Sequence, residues 1–148
     1  MSRLYRQAPL NAIWEGSGNV ICLDILRAAE SLPLFVADMR GQAATHGDID
    51  SRLAGLLHVL DGDVAAICAD PRNPRHQAQA RNLADRLGIA LVASSLVRDK
   101  SPAADAYISS RIGSNMGVGY NYGSVEFTDD LCDLMLAECK AQKYTGSK

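Results

Sequence analysis

The pattern of apolar and polar positions predicts helices along nearly the whole chain. From Asn19 to Glu30, Val20, Ile21, Leu23, Ile25 and Leu26 leave little polar circumference, so this helix is expected to be buried. Asp24 and Arg27, three residues apart, can pair on its remaining face. Ser31 is placed to cap a second helix with Pro33 in its first turn, and Leu34, Phe35, Ala37 and Met39 carry it to a stop near Gly47. Asp48 offers the next cap; Leu53, Leu56, Leu57 and Leu60 then follow at helical spacing and read as core. Asp61-Gly62-Asp63 is expected to break that helix, leaving Val64 to Ala69 as one or two further turns.

Asp70-Pro71-Arg72-Asn73-Pro74 is the clearest internal boundary, with Asn73 as a cap. A long helix should run from Pro74 to Arg98 on Ala80, Leu83, Leu87, Ala90 and Leu91, with Gly88 its weak point at up to about 1 kcal/mol relative to Ala. A shorter helix is expected from Ala103 to Ile112. The stretch 113–126 is rich in glycine, but Gly117-x-Gly119 is followed by Gly123 one position late and by no Lys-Ser or Lys-Thr. It reads as a surface loop. Thr128 caps the last helix, expected over 128–143, with Asp129 and Asp130 in its first turn. Its inner stripe would be Leu131, Leu134, Met135, Cys132 and Cys139, the cysteines acting as small buried hydrophobes. The expected fold is all-α, one antiparallel helical bundle over residues 1–148.

Composition narrows the function classes. The chain has 148 residues, 47% hydrophobic and 22% charged, with no apolar run of the roughly 18 residues a membrane span needs. The amino terminus lacks a basic region followed by an apolar core, so the default expectation is a cytoplasmic protein. Cys22, Cys68, Cys132 and Cys139 lack the paired spacing of a zinc or redox site, and neither His46 nor His58 has a second ligand at i+4, so no metal is expected. A net charge of −2 gives nucleic acid no general attraction. The segment from Arg72 to Lys100 is locally basic, however, and Arg75 and Arg86 fall within about 20° of one another on a helix.

One carboxylate stands apart. Glu15 lies between the bulky pair Ile13-Trp14 and the bend Gly16-Ser17-Gly18, at a joint rather than on a solvated face. Ser17 or Asn19 can cap the helix that follows, whose free N–H groups and positive dipole end suit a phosphate.

These residues carry a resemblance. Arg6, Ala8 and Ile13-Trp14-Glu15-Gly16-Ser17 through Arg27 resemble the C-terminal signature of acyl-CoA dehydrogenases, and the wording Leu4-Tyr5-Arg6, Ala8-Pro9, Asn11 and Ile13 to Asn19 looks most like the alkylation-response branch of those flavoproteins. The resemblance implies that Glu15 is the general base that takes the α-proton of an acyl-CoA thioester while FAD accepts hydride. It also implies that Ser17 and Asn19, with Gly16 and Trp14, lie against the FAD. Three residues depart from the pattern: Gln7 stands for Asp, Trp14 for Tyr, and Gly18 for a Ser-like residue. The larger Trp14 ring narrows the acyl pocket. Because the signature begins near Met1, the resemblance further implies a C-terminal piece, inactive alone, whose flavin site needs an N-terminal helical and a middle β-domain. The alternative reading is a non-catalytic helical module for DNA binding, with Arg75 and Arg86 as candidate contacts, or for homo-oligomerisation.

Overall fold

A 25-residue helix, Pro74–Arg98, is the axis on which four of the other helices pack. The computed structural model describes residues 2–12, 18–112 and 128–141. In chain order these form α1 (Ser2–Gln7), α2 (Gly18–Arg27), α3 (Leu32–Ala43), α4 (Ser51–Ala69), α5 (Pro74–Arg98), α6 (Ala104–Arg111) and α7 (Asp129–Ala141), with 3-10 turns at Ala8–Ala12 and Ala29–Ser31. Among the described residues there is no strand, and the fold is all-α as expected. The glycine-rich stretch read as a loop lies outside the described residues.

Each inner helix buries one stripe. α3 contributes Leu32, Val36, Met39 and Ala43, and α4 contributes Leu53, Leu56, Leu57, Leu60, Val64 and Ile67. α5 answers with Ala80, Leu83, Leu87, Ala90 and Ala93, whose small members let α2, α3 and α4 approach it closely. α6 seals one end through Ile108 and its following residue Ile112.

The structure departs from the expected elements in several places. α4 runs unbroken through Asp61-Gly62-Asp63. The stripe decides this: Leu60, Val64 and Ile67 continue it, and burying the last two is worth about 1.5–3 kcal/mol each, against roughly 1 kcal/mol for Gly62. Asp61 points outward to Arg40 of α3, and Asp63 reaches Arg86 of α5 at 2.6 Å. The α4 cap is Asp50, not Asp48, with its carboxylate accepting from the Arg52 backbone N–H at 2.8 Å. Ser31 makes no side-chain cap bond, because a 3-10 turn feeds directly into α3. α2 ends at Arg27 and is only half buried: Cys22 and Leu26 face the core, while Val20, Ile21 and Leu23 are exposed. Its Asp24–Arg27 pair is formed.

The other stops match their local chemistry. Asn73 Oδ1 accepts from the Arg75 N–H at 3.0 Å, with Pro74 opening α5. At the far end Lys100 takes a left-handed φ of 51°, while the Ser101 N–H donates to Leu96 O at 2.9 Å and the Lys100 N–H to Val97 O at 3.1 Å, a Schellman stop. Gly47, at φ 126°, supplies the turn between α3 and α4 that only glycine adopts freely. Thr128 caps α7, accepting from the Leu131 N–H at 3.3 Å. The inner stripe expected of α7 is thinner than its sequence suggests, with Leu131 and Leu134 half buried but Cys132 and Met135 exposed. Cys132 is thus no buried hydrophobe; nothing covers that side of the helix among the described residues.

Two predictions follow from these local choices. A Cβ added at Gly62 or Gly88 meets nothing within 4 Å, so Gly62→Ala and Gly88→Ala should each raise stability by about 0.5–1 kcal/mol in urea unfolding. A loss at either site would show that these helix faces are packed.

The Asp50 carboxylate also receives Arg52 Nη2 at 2.6 Å, while the same guanidinium reaches Asp105 Oδ1 at 2.7 Å and Ser109 Oγ at 2.6 Å, tying α4 to α6. The side-chain bond from Arg52 is the main reason that the Asp50 carboxyl lies below its ordinary value. A depressed folded value stabilises the fold fully above the ordinary carboxylate range, about pH 4, and that stability is lost as pH falls through the folded value. Asp50→Ala should cost about 0.5–2 kcal/mol at pH 7, and Asp50→Asn should flatten the acid-side decline of stability; an unchanged acid limb for Asp50→Asn would assign that decline to other groups.

Candidate cofactor-binding corner

The first turn of α2 meets the side of α5 at Arg81. Arg81 Nη1 donates to Asn19 Oδ1 at 3.2 Å, and a Cβ built on Gly18 would stand 3.2 Å from the same nitrogen. The approach is set one residue earlier, where Ala80 is buried and presents only a methyl group beside the buried Cys22. α2 therefore brings its N-terminal N–H groups and positive dipole end beside a guanidinium, a combination that favours an anionic group.

A cavity of about 250 Å³ opens beside this corner, lined by Asn19, Cys22, Leu23, Gln77 and Arg81 among others. Leu23 and Gln77 also line a cleft of about 480 Å³, which continues between α2 and the start of α5 past Leu26, Arg27, Glu30 and Arg72. The two make one groove with an apolar floor and arginines along its walls. On the other side of α5 a smaller cavity of about 200 Å³ is lined by Asp63, His76, Asn82 and Arg86, and the Asp63–Arg86 pair spans it.

The residues expected to form the site are placed unevenly. Asn19 stands in the corner, bonded to Arg81. Trp14, Glu15, Gly16 and Ser17 lie outside the described residues. Arg75 is exposed near the start of α5, whereas Arg86 is half buried and held by Asp63. His46, in the turn after α3, is hydrogen-bonded to the Arg98 carbonyl at 2.8 Å. Arg81 is the residue that sequence reasoning missed. It lies 62 positions from Asn19, and its only sequence signal is the small neighbour Ala80.

Comparison with known proteins gives one short likeness, to an acyl-CoA dehydrogenase-like protein. Over 27 residues the chain is 67% identical to AidB of Escherichia coli (strain K12). The matched stretch is 18% of this chain and 5% of AidB, so the chain matches only a small part of that relative's length. No protein-family profile matches the chain, and no solved structure matches it significantly. No helix among the described residues is long and apolar enough to cross a membrane.

The Asn19–Arg81 bond is exposed and long for a charge-assisted contact, so it adds little to folding. Arg81→Met and Asn19→Ala should each shift unfolding free energy by no more than about 0.5 kcal/mol. A loss above about 1.5 kcal/mol for either would make the corner a structural joint instead of a place left for a ligand.

Proposed function

We propose that this chain is the C-terminal helical region of an acyl-CoA dehydrogenase-like flavin oxidoreductase of the alkylation-response branch, contributing part of the flavin and thioester site. The observation that carries this reading is the 67% identical stretch shared with AidB. The corner supports it: the α2 terminus, the Asn19 amide and the Arg81 guanidinium offer hydrogen bonds and positive charge of the kind a dinucleotide's phosphates take. In this reading Asn19 and Arg81, with Ser17 and Gly16, hold FAD, and Trp14 borders the acyl pocket. Bound there, FAD supplies the hydride acceptor.

The chain's own chemical contribution is Glu15. A base for so weak a carbon acid as the α-position of a thioester has to be partly desolvated, and the sequence sets Glu15 between the apolar pair Ile13-Trp14 and Gly16-Ser17-Gly18. Glu15 takes and holds the α-proton as the carbon–carbon double bond forms, while the Trp14 ring, larger than the family's Tyr, narrows the acyl pocket. The DNA-binding alternative draws less from the structure, since one of its two candidate contacts, Arg86, is already engaged by Asp63.

The isolated chain should be colourless and should gain flavin absorbance only when combined with the N-terminal and middle domains of such a flavoprotein. In that combined protein Glu15→Gln should leave flavin absorbance in place and slow thioester-dependent flavin bleaching by about 10²–10⁴-fold. Bleaching at the parental rate would remove Glu15 from the chemistry, and flavin held tightly by the isolated chain would overturn the partial-site reading.

A further inference from the structure

The cavity on the far side of α5 takes no part in the chemistry above. His76, Gln79, Asn82 and Arg86 line it from α5, within about 120° of that helix's circumference, and Asp63 and Ile67 line it from α4. Arg81, which serves the flavin corner, lies about 140° from Arg86 around the same helix. His76 and Arg86, the first and last α5 residues of the cavity, are ten positions apart, or about 15 Å along the axis. At about 200 Å³ over that length the space is a narrow slot, smaller than the roughly 300 Å³ at which pockets for drug-sized ligands begin.

One end of the slot holds both signs of charge. Arg86 Nη1 donates to Asp63 Oδ2 at 2.6 Å, and this single bond is all that joins them. A guanidinium and a carboxylate frequently meet through two parallel bonds; here Asp63 Oδ1 and the Nε and Nη2 groups of Arg86 have no protein partner among the described residues. The Asp63 and Arg86 side chains are 34% and 30% exposed, against 51% and 77% for Asp24 and Arg27, so water screens a ligand less here than at that surface pair. Past the charges, Ile67 and Leu83 make an apolar stretch, and the Asn82 amide stands beside it with no protein hydrogen bond among the described residues.

We propose that this slot between α4 and α5 binds a free α-amino acid with a polar-tipped side chain of about glutamine's length. The ligand carboxylate accepts from the spare N–H groups of Arg86, and its ammonium donates to Asp63 Oδ1. The side-chain methylenes then lie along Ile67 and Leu83, and the tip meets the Asn82 amide, four residues or about 6 Å along α5 from Arg86. A simple anion would gain Arg86 but meet the charge of Asp63, and a simple cation would face the reverse, whereas a zwitterion satisfies both. Neither flavin nor thioester takes part, so the proposal goes beyond the flavoprotein reading and stands or falls separately from it.

Titrating the isotope-labelled full chain with L-glutamine to about 50 mM, with backbone amide shifts followed by NMR, tests it; so small a ligand should bind with a Kd on the order of 1 mM. The shifts should saturate and centre on Asp63, Ile67, Asn82 and Arg86, leaving Asn19 and Arg81 unmoved. Acetate and ethylamine, each carrying one half of the zwitterion, should bind about tenfold or more weakly, and L-norvaline, which lacks the amide tip, about 2–10-fold more weakly than glutamine. Arg86→Met and Asp63→Asn should each weaken glutamine about tenfold or more, while Arg81→Met should change nothing. Asn82→Ala, at an exposed position, should erase the preference for glutamine over norvaline, and it decides the matter should circular dichroism show that either charge variant has lost helix. Shifts that do not saturate, acetate bound as well as glutamine, binding indifferent to both charge variants, or a preference that survives Asn82→Ala would each overturn the proposal.

Discussion

What the fold depends on is how closely its helices can approach α5. Ala80, Ala90 and Ala93 are buried to 3% exposure or less, and each gives the neighbouring helix backbone space that a larger residue would fill. Ser94 belongs to the same strip by volume, although its buried hydroxyl has no hydrogen-bond partner among the described residues. An unpaired hydroxyl there costs about 1–3 kcal/mol, so its size, not its polarity, suits the position. This constraint also fixes the corner. Where Ala80 admits α2, the next residue, Arg81, is carried out across the α2 terminus, so the cation beside Asn19 is a by-product of packing in the core.

Much of the architecture was legible because it is periodic. The stripes of α4 and α5 can be read directly from Leu53 to Leu60 and Ala80 to Ala93, and the Asn73-Pro74 and Thr128 starts follow from cap chemistry, whereas of the α3 residues Leu34, Phe35, Ala37 and Met39 only Met39 is buried, beside Leu32, Val36 and Ala43. In α4 a local signal is set against burial, and burial wins. Asp61-Gly62-Asp63 is a sound breaker in isolation, yet Val64 and Ile67 have a core to join. The reverse error occurred in α2, whose apolar residues on several sides suggested full burial. A ten-residue helix with neighbours on one side can bury only that side, and the remainder faces solvent.

The site was legible only where it is local. Asn19 follows directly from the motif around Glu15, since both belong to one short stretch. Arg81 and Arg72 could not be chosen from among the arginines of their segment, because partners 62 residues apart leave no mark in a single sequence. Arg75 and Arg86 show the same limit from the other side. Helical geometry correctly puts them near one face, but it says nothing of Asp63 on a neighbouring helix, which takes up Arg86.

The anchoring of α2 connects these observations. Helices of ten residues are marginal on their own, and α2 is held to the core chiefly by Cys22 and Leu26, with Ile25 partly covered. The dipole end and the Asn19–Arg81 contact both sit on this element. A site must be fixed to within about half an ångström to bind or react productively, and α2 is fixed by what it packs against α5. Anything that covers Val20, Ile21 and Leu23 therefore does more than hide apolar surface. It also closes over Leu23, which lines the groove beside Asn19. Coverage of the outer face and the shape of the corner are thus one problem, because a single helix carries Val20, Ile21 and Leu23 on one side and Asn19 at its start.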